Sequence, residues 1–235
     1  MAHQPFAGRR VAVTGASGSL GQALLQELQR QGASVVALTS SSSATPAIPV
    51  EQVQWRCGEE AALRPLLAGC NILVINHGYN SHADRSAAAV QHSLEINALS
   101  SWRLLELFAE LAAGDGPDQP PRELWMNTSE AEIQAAVSPL YEISKRLQGQ
   151  LLSLRSLDLA SPQLRLRRLV LGPFRSALNP IGVMRPAFVA REILRQVSWG
   201  CGLVIVTPNP LTYLLMPLAT MSRWLYFRAT SRAAA

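Results

Sequence analysis

Short apolar runs alternate with amphipathic stretches along most of the chain. A short apolar run between turn residues is typical of a strand buried on both faces, and apolar residues every three or four positions are typical of a helix. Strands are predicted at RRVAVTG, ASVVALT, NILVINHG, ELWMNTS, LRLRRLVLG and GLVIVT, with a further strand just before Arg56. Helices are predicted near Leu20–Gln31, Glu59–Leu67, Ala87–Ala112, Pro139–Asp158 and Pro186–Val197. This order predicts an α/β fold: one doubly wound domain with a seven-stranded parallel sheet and helices on both faces.

Composition and charge narrow the class of protein. The chain has 235 residues, 48% of them hydrophobic, which suits one domain over residues 1–206 followed by an apolar tail over 207–235. The net charge is +5, but the arginines are spread along the chain, so no nucleic acid is expected as a partner. Cys57, Cys70 and Cys201 are odd in number and lack a CxxC spacing, which argues against disulfides and a metal site. A polar N-terminus without a signal peptide predicts a cytoplasmic location.

A glycine-rich loop, TGASGSLG, follows the first predicted strand and opens the first predicted helix. In this context Gly15 permits a tight turn, Gly18 a close approach of phosphate, and Gly21 close packing of helix on strand. Backbone amides and the helix N-terminus then meet a pyrophosphate. The loop residues expected at a dinucleotide are Gly15, Ser17, Gly18, Ser19, Leu20 and Gly21. An ordinary Gly/Ser turn is the alternative interpretation.

The end of the second strand bears on cofactor choice. An NAD site usually has a carboxylate there, whereas this chain has Thr39, Ser40 and Ser41, which cannot repel a 2′-phosphate. Hydroxyls and loop amides at this position can bind the 2′-phosphate, and Arg9 or Arg10 can assist if the fold brings either close. The sequence therefore predicts NADP in preference to NAD. A solvated Ser/Thr turn without a cofactor preference is the alternative.

Four polar residues further along form a candidate catalytic set. Tyr141 and Lys145 are four residues apart on a predicted helix, so the ammonium can favour the charged form of the phenol. The tyrosine, with an ordinary pKa of about 10, is then expected to exchange protons near neutrality. Ser129 ends a predicted strand and Asn97 lies in the long helix before it. The alternatives are a surface Tyr/Lys pair, a solvent-facing Asn97, and Ser129 as the N-cap of a turn.

Together these motifs resemble those of the short-chain dehydrogenase/reductase (SDR) family over about residues 9–206, and imply a Rossmann-type domain. The resemblance implies hydride transfer between a nicotinamide and an alcohol or carbonyl, with Tyr141 as general acid/base. It also implies that Ser129 polarises the substrate oxygen, Lys145 holds the nicotinamide ribose, and Asn97 anchors a water. Cofactor contacts implied after the fourth and sixth strands are Asn76, His77, Gly78, Gly172, Pro173 and Ser176.

The resemblance extends to assembly and has exceptions. The long helices resemble those through which family members form homodimers and homotetramers.

His77 replaces the alanine that the family usually has after the fourth strand, and packing or hydrogen bonding is a more natural role for it than catalysis. Arg56, Cys57 and Gly58 stand where the family commonly places an aspartate against adenine. A weaker resemblance is to cyanobacterial-type SDR modules associated with sterol-desaturase-like proteins, which would suit a lipid substrate.

Two apolar segments are candidates for contact with the substrate or with a partner. The segment after the sixth strand carries Leu178, Ile181, Val183, Met184 and Phe188, which either favour an apolar substrate or pack a short helix. The tail combines apolar residues with Arg223, Arg228 and Arg232, and prolines at 208, 210 and 217 are expected to interrupt it before the ~20 residues that a membrane span needs. It is interpreted as a helix lying on a membrane, a subunit contact or a cover over the pocket. The alternative functions are a catalytically silent NAD(P)-binding redox sensor and a membrane-surface scaffold.

Overall fold

A computed structural model describes residues 5–41, 46–159 and 161–231, so that Arg232 of the tail lies outside the described residues. Seven parallel strands form one sheet in the order β3-β2-β1-β4-β5-β6-β7. They are β1 Arg10–Thr14, β2 Ser34–Thr39, β3 Glu51–Gln54, β4 Ile72–Ile75, β5 Arg122–Ser129, β6 Leu164–Leu171 and β7 Leu203–Val206. The predicted parallel sheet and the Rossmann-like α/β fold are confirmed.

The helices cover both faces of the sheet. They are α1 Ser19–Arg30, α2 Arg64–Ala68, α3 Ala87–Leu94, α4 Ser100–Ala113, α5 Pro139–Arg155, α6 Pro186–Ser198 and α7 Pro210–Thr230. Successive strand residues point to opposite faces, so Val11 and Val13 enter one apolar layer while Ala12 enters the other. Helices α1 and α6 close the first layer, and the Leu104 and Phe108 side chains of α4 belong to the second.

The strand order reverses between β1 and β4, and this reversal positions the candidate site. In a doubly wound sheet a crevice opens at the carboxyl ends of the strands where the order reverses. The glycine loop follows β1 and the Asn76-His77-Gly78 segment follows β4. The two predicted cofactor segments therefore face each other across that crevice.

Three predicted helices differ in detail from the structure. A π turn at Glu95–Leu99 separates α3 from α4, where one continuous helix was expected. The helix predicted from Glu59 starts as a 3-10 turn at Glu60–Leu63 and continues as α2. Pro217 was expected to interrupt the tail, but it lies inside α7. The carbonyl that loses its helical partner belongs to Tyr213, whose exposed position lets water bind that carbonyl.

The tail packs on the body of the domain through one side of α7. Thr212 and Met216 are fully buried, and Met216 contacts Val170 and Ile205 at the edge of the sheet. Among the described residues, no helix is long and apolar enough to cross a membrane. The opposite side of α7 carries large apolar side chains that remain exposed.

Candidate functional site

The glycine loop has the geometry that a bound pyrophosphate requires. Gly15 has φ of +60°, and a Cβ there would lie 2.8 Å from the Cα of His77. A Cβ on Gly21 would lie 2.3 Å from the Gly15 carbonyl oxygen, so helix and loop touch through backbone alone. Gly18 is the N-cap of α1 and supplies no capping side chain, which leaves first-turn amides free to bind an anion. The loop fits the phosphates of a dinucleotide, with Ser17 and Ser19 exposed beside it.

Thr14 and Asn127, two residues absent from the predicted set, hold the segment after β4. The Thr14 hydroxyl accepts hydrogen bonds from the backbone N–H groups of Asn76 (2.8 Å) and His77 (3.2 Å). The Asn127 amide donates to the Asn76 side-chain oxygen at 2.8 Å. Both are polar residues at the carboxyl end of otherwise apolar strands, which is the signal that could have identified them.

His77 is packed and hydrogen-bonded. Its Nδ1 lies 2.8 Å from the Thr14 hydroxyl, and its ring meets Trp55 edge-to-face with centroids 5.3 Å apart. Burial, with a smaller contribution from the charge of Lys145, lowers the pKa of His77 to about 4. The imidazole is therefore neutral near pH 7.

The structure brings Ser129, Tyr141 and Lys145 together at the carboxyl end of β5. Ser129 ends β5, and its hydroxyl faces the phenol of Tyr141, which lies in the first turn of α5. The Lys145 Nζ lies 5.8 Å from the centroid of the Tyr141 ring. Ser129 Oγ also accepts from the backbone N–H of Ala131 at 3.2 Å, so it caps the following turn as well. Lys145 is buried and Tyr141 is partly buried, so the two do not form an exposed surface pair.

Burial acts against the charged forms of both groups. Burial raises the pKa of Tyr141, opposed by the hydrogen bond from Ser129 and reinforced by the charge of Glu130. Burial also lowers the pKa of Lys145 to about 8, opposed by the charge of Glu132. The sequence-based expectation that Lys145 lowers the Tyr141 pKa toward neutrality is wrong for this structure, because desolvation of the phenol outweighs the effect of Ser129 and the charge of Glu130 acts in the same direction as desolvation.

Buried acceptors hold the Lys145 ammonium. It donates to the backbone carbonyl of Asn127 at 3.1 Å and to the side-chain oxygen of Gln148 at 3.0 Å. Gln148 donates in turn to the Ser101 hydroxyl at 3.0 Å, and that hydroxyl donates to the Asn97 carbonyl at 3.2 Å. A hydrogen-bonded chain thus joins Lys145 to Asn97. Gln148 was missed, although its position three residues after Lys145 on one helix face pointed to it.

Asn97 is fully buried within the π turn, and the solvent-facing alternative is excluded. Its Oδ1 accepts from the Tyr79 backbone N–H at 2.7 Å, and its Nδ2 donates to the Tyr79 carbonyl and to the Ser144 hydroxyl, both at 2.8 Å. The amide clamps the loop that follows Gly78. Anchoring of a water by Asn97 stays a prediction.

The end of β2 has no acidic residue. The Thr39 hydroxyl donates to the Ser41 carbonyl at 3.0 Å, while Ser40 and Ser41 are exposed. Arg9 and Arg10 do not assist there, because they lie at the amino-terminal end of β1. In a parallel sheet that end lies opposite the carboxyl end of β2. Arg10 instead pairs with Glu51 at 2.7 Å.

The segment after β6 forms a tight loop beside the site. A Cβ on Gly172 would lie 2.2 Å from the Thr207 hydroxyl, and the Pro173 carbonyl accepts from Val183 N at 3.0 Å. Ser176 Oγ accepts from Asn179 N at 3.2 Å, so it stabilises the loop; its contact with a cofactor stays a prediction.

The apolar residues of this segment divide into two groups. Met184 belongs to the hydrophobic core, so its prediction as a pocket residue is wrong; the loop turns it inward through the pairing of Phe174 with Met184. The other predicted pocket residues are exposed: Leu178, Ile181, Val183 and Phe188. Ile181 and Val183 are the most exposed of the four, whereas Phe188 lies in the first turn of α6.

Comparison with known proteins identifies the relatives of this chain. The sequence model of the NAD dependent epimerase/dehydratase family matches residues 11–132. Monoglucosyldiacylglycerol epimerase of Synechocystis sp. is 45% identical over 231 residues, or 96% of this chain. The chain spans 55% of the length of that relative.

Solved structures share the fold. A short-chain dehydrogenase from Burkholderia cenocepacia, in complex with NADP, superposes with a TM-score of 0.78 at 17% identity, covering 97% of this chain and 99% of the other. Aldohexose dehydrogenase from Thermoplasma acidophilum gives 0.72 at 16% identity, covering 87% and 94%. The likeness to these dehydrogenases confirms the predicted fold.

Proposed function

Because this chain belongs to the NAD dependent epimerase/dehydratase family, we propose that it inverts an alcohol carbon in the sugar headgroup of a glycosyl diacylglycerol. The observation that carries the proposal is the cluster of Ser129, Tyr141 and Lys145 beside the glycine loop, in a chain 45% identical to an epimerase of such a lipid. This refines the predicted oxidoreductase: the same hydride chemistry runs forward and back, with no net oxidation.

Inversion by this chemistry needs a proton acceptor and donor at the alcohol oxygen. A nicotinamide held at the glycine loop would supply a reversible hydride acceptor, and inversion would follow when the sugar turns so that the opposite face of its carbonyl carbon meets that acceptor. Tyr141 takes the hydroxyl proton in the first half and gives it back in the second, so proton and hydride both balance. Its raised pKa keeps the phenol protonated near neutrality, which suits the second half.

The other site residues support Tyr141. Ser129, whose hydroxyl faces the phenol, is placed to donate to the substrate oxygen as negative charge develops on it. The Lys145 ammonium, 5.8 Å from the ring centroid, is an opposite charge near the phenolate that forms in the first half. Desolvation and the charge of Glu130 both oppose that ionisation, so the resting phenol is the protonated form.

We propose NADP as the preferred cofactor. Support comes from the lack of an acidic side chain at the end of β2 and from the exposed Ser40 and Ser41 there. An apolar lipid substrate is supported by the exposed residues Leu178, Ile181 and Val183 on the loop after β6.

Turnover of a deuterated glycolipid tests this function. The full chain is incubated with monoglucosyldiacylglycerol carrying deuterium on the inverted carbon, in detergent micelles, with NADP⁺ and NAD⁺ in parallel. We expect the epimeric glycolipid by NMR with the deuterium retained, faster with NADP⁺, and no accumulation of reduced cofactor. Tyr141→Phe removes only the phenol oxygen and is expected to lower turnover by at least about 100-fold while cofactor affinity stays unchanged.

The possible results separate the alternatives. Reduced cofactor accumulating in step with a ketone product would identify a net dehydrogenase and overturn the epimerase proposal. Cofactor binding without any turnover would favour the redox sensor. Equal activity of Tyr141→Phe would remove Tyr141 from the mechanism.

A further inference from the structure

We propose that α7 and the loops at the mouth of the site form a surface that docks on an anionic lipid bilayer, so that the sugar headgroup is reached without extracting the lipid from the membrane. The proposal rests on the proposed function for its substrate, but the surface itself is defined by the geometry below. We call it the docking surface; it comprises the exposed side of α7, Val137, and the exposed residues Leu178, Ile181 and Val183.

The exposed side of α7 is apolar along the whole helix. Leucine and methionine follow one another at spacings of three and four, the spacing of one helix face. This stripe consists of Leu211, Leu214, Leu218, Met221 and Leu225, each between 49% and 60% exposed. Tyr213, Leu215, Trp224 and Tyr226 widen it on both sides. Apolar surface of this extent on one element marks an interaction site.

The amino-terminal end of α7 is tied directly to the catalytic strand end. The Gln134 side chain donates to the Thr212 hydroxyl at 2.7 Å and accepts from the Asn209 amide at 2.6 Å. Glu130, the residue after Ser129, accepts from the hydroxyls of Thr207 (2.7 Å) and Thr212 (3.2 Å). The helix therefore starts at the edge of the sheet where the site opens.

Further apolar residues surround the same opening. Val137 is 98% exposed two residues before α5, which carries Tyr141. Ile181 is 82% and Val183 68% exposed in the loop after β6. That loop touches the segment after β4, since the Asn80 amide donates to the Leu178 carbonyl at 3.3 Å. Exposed apolar side chains thus come from several segments around one mouth.

Charge selects an anionic lipid surface as the occupant. Glu192 is the sole acidic residue between Gly172 and Ser231, and it is paired with Arg195. Of the two arginines described in α7, Arg223 faces Glu132 in the interior, whereas the Arg228 guanidinium lies 4.9 Å from the Trp224 ring on the exposed side. Aromatic and basic side chains together on an apolar helix suit the boundary between headgroups and acyl chains.

A bilayer also suits the shape of α7 better than a second copy of this helix. A two-helix seam uses a narrow apolar stripe, whereas Tyr213, Leu215 and Trp224 make this face wider than a seam. Pro217 inside the helix further disfavours a regular helix pair. Because a glycosyl diacylglycerol keeps its acyl chains in the membrane, a docking face beside the site places the headgroup within reach.

Vesicle flotation of the purified full chain tests the surface without requiring turnover. Vesicles of phosphatidylcholine are compared with and without phosphatidylglycerol. We expect flotation with the anionic vesicles, weakened at high salt. The double variant Leu218→Ser, Leu225→Ser and the single variant Trp224→Ser are expected to bind at least about tenfold more weakly. Both change exposed side chains, so the fold is retained, which circular dichroism checks.

Trp199→Ser is the matched control for Trp224→Ser. Trp199 is 66% exposed and lies 4.7 Å from an arginine, Arg195, much as Trp224 lies near Arg228, but it precedes β7 and so lies at the amino-terminal ends of the strands, away from the end where the site opens. The control is expected to float like the wild type. Turnover of the glycolipid in micelles is expected to be unchanged in the Leu218/Leu225 variant, because neither residue touches the site.

Each result decides between the surface and its alternatives. No flotation of the wild type on anionic vesicles overturns the surface, even if epimerisation is found. Equal loss in Trp199→Ser and Trp224→Ser overturns it as well. A dimer seen by light scattering that the leucine variant abolishes, without flotation, assigns the face to a second copy instead. Flotation lost only in the α7 variants supports the surface, even if no epimerase activity is detected.

Discussion

At the scale of single residues, the environment of Lys145 decides how the site responds to pH. The ammonium is 3% exposed and its pKa is lowered to about 8, so a rise of pH through that value removes its charge. Gln148 and the Asn127 carbonyl accept its hydrogen bonds and favour the charged form. The alkaline limit of activity should therefore depend on Gln148, which touches neither substrate nor reacting atoms and acts as a positioning residue.

Gln148→Leu is expected to move the alkaline limb of the pH profile of kcat/KM down by about one unit. The substitution removes one of two acceptors from a buried cation, and a hydrogen bond to a charged group is worth about 1.5–3 kcal/mol, or one to two pKa units. Steady-state rates between neutral and alkaline pH measure it.

Gln148→Glu is the informative counterpart, since a carboxylate beside Lys145 raises the lysine pKa. The alkaline limb of the kcat/KM profile of Gln148→Glu is expected to move to higher pH. Limbs that move in the same direction in both variants, or do not move, would show that Gln148 has only a packing role.

At the scale of elements, contact between backbones shapes the cofactor crevice. The glycine loop touches α1 through Gly21 and touches the segment after β4 through Gly15. On the other side, the π turn at Glu95–Leu99 turns the Asn97 amide toward the backbone of Tyr79. The crevice walls are thus set by loops whose positions depend on neighbouring elements.

Gly21→Ala is expected to weaken cofactor binding at least about tenfold and to lower the free energy of unfolding by about 1–3 kcal/mol. The new Cβ would stand 2.3 Å from the Gly15 carbonyl oxygen, so α1 must move away from the loop. Fluorescence titration with NADPH and urea unfolding measure the two effects. Gly202→Ala is the control, because its Cβ would meet only the Leu166 carbonyl at 4.0 Å. If the two variants behave alike, the loop tolerates the contact.

At the scale of the whole molecule, one buried carboxylate joins three parts of the fold. Glu132, fully buried after β5, lies 3.4 Å from Arg168 of β6 and 3.7 Å from Arg223 of α7. A Cβ on Gly149 of α5 would lie 1.8 Å from its Oε2, so α5 is shaped around it. Through Glu132 the tail helix is held to the body by charge as well as by Met216.

Glu132→Gln is expected to lower the free energy of unfolding by about 3 kcal/mol, because it leaves the buried Arg168 and the partly buried Arg223 without their counter-charge. Urea unfolding of the full chain measures it. The matched control is Glu110→Gln, which breaks the exposed pair with Arg64 and is expected to cost less than about 1 kcal/mol. Similar losses in both variants would mean that the buried cluster contributes no more than a surface pair.

Local pattern in the sequence determined the strand and helix order, the glycine loop, and the set of Asn97, Ser129, Tyr141 and Lys145. These features depend on residues near one another in the chain: side-chain periodicity decides strand or helix, and a strand followed by glycines and a helix builds one kind of turn. The broad class of chemistry follows from them, because the carboxyl ends of parallel strands lie at one edge.

Tertiary structure alone decided how those residues behave. The direction of the Tyr141 pKa shift depends on burial by distant segments, which no local pattern encodes. Contacts between segments decided three further points. The Asn127 carbonyl accepts from Lys145, Arg9 and Arg10 lie at the opposite ends of the strands from the cofactor loop, and Met184 turns into the core. The apolar side of α7 was visible in the sequence, but its position at the mouth of the site required the packing of α7 against α5 and β7.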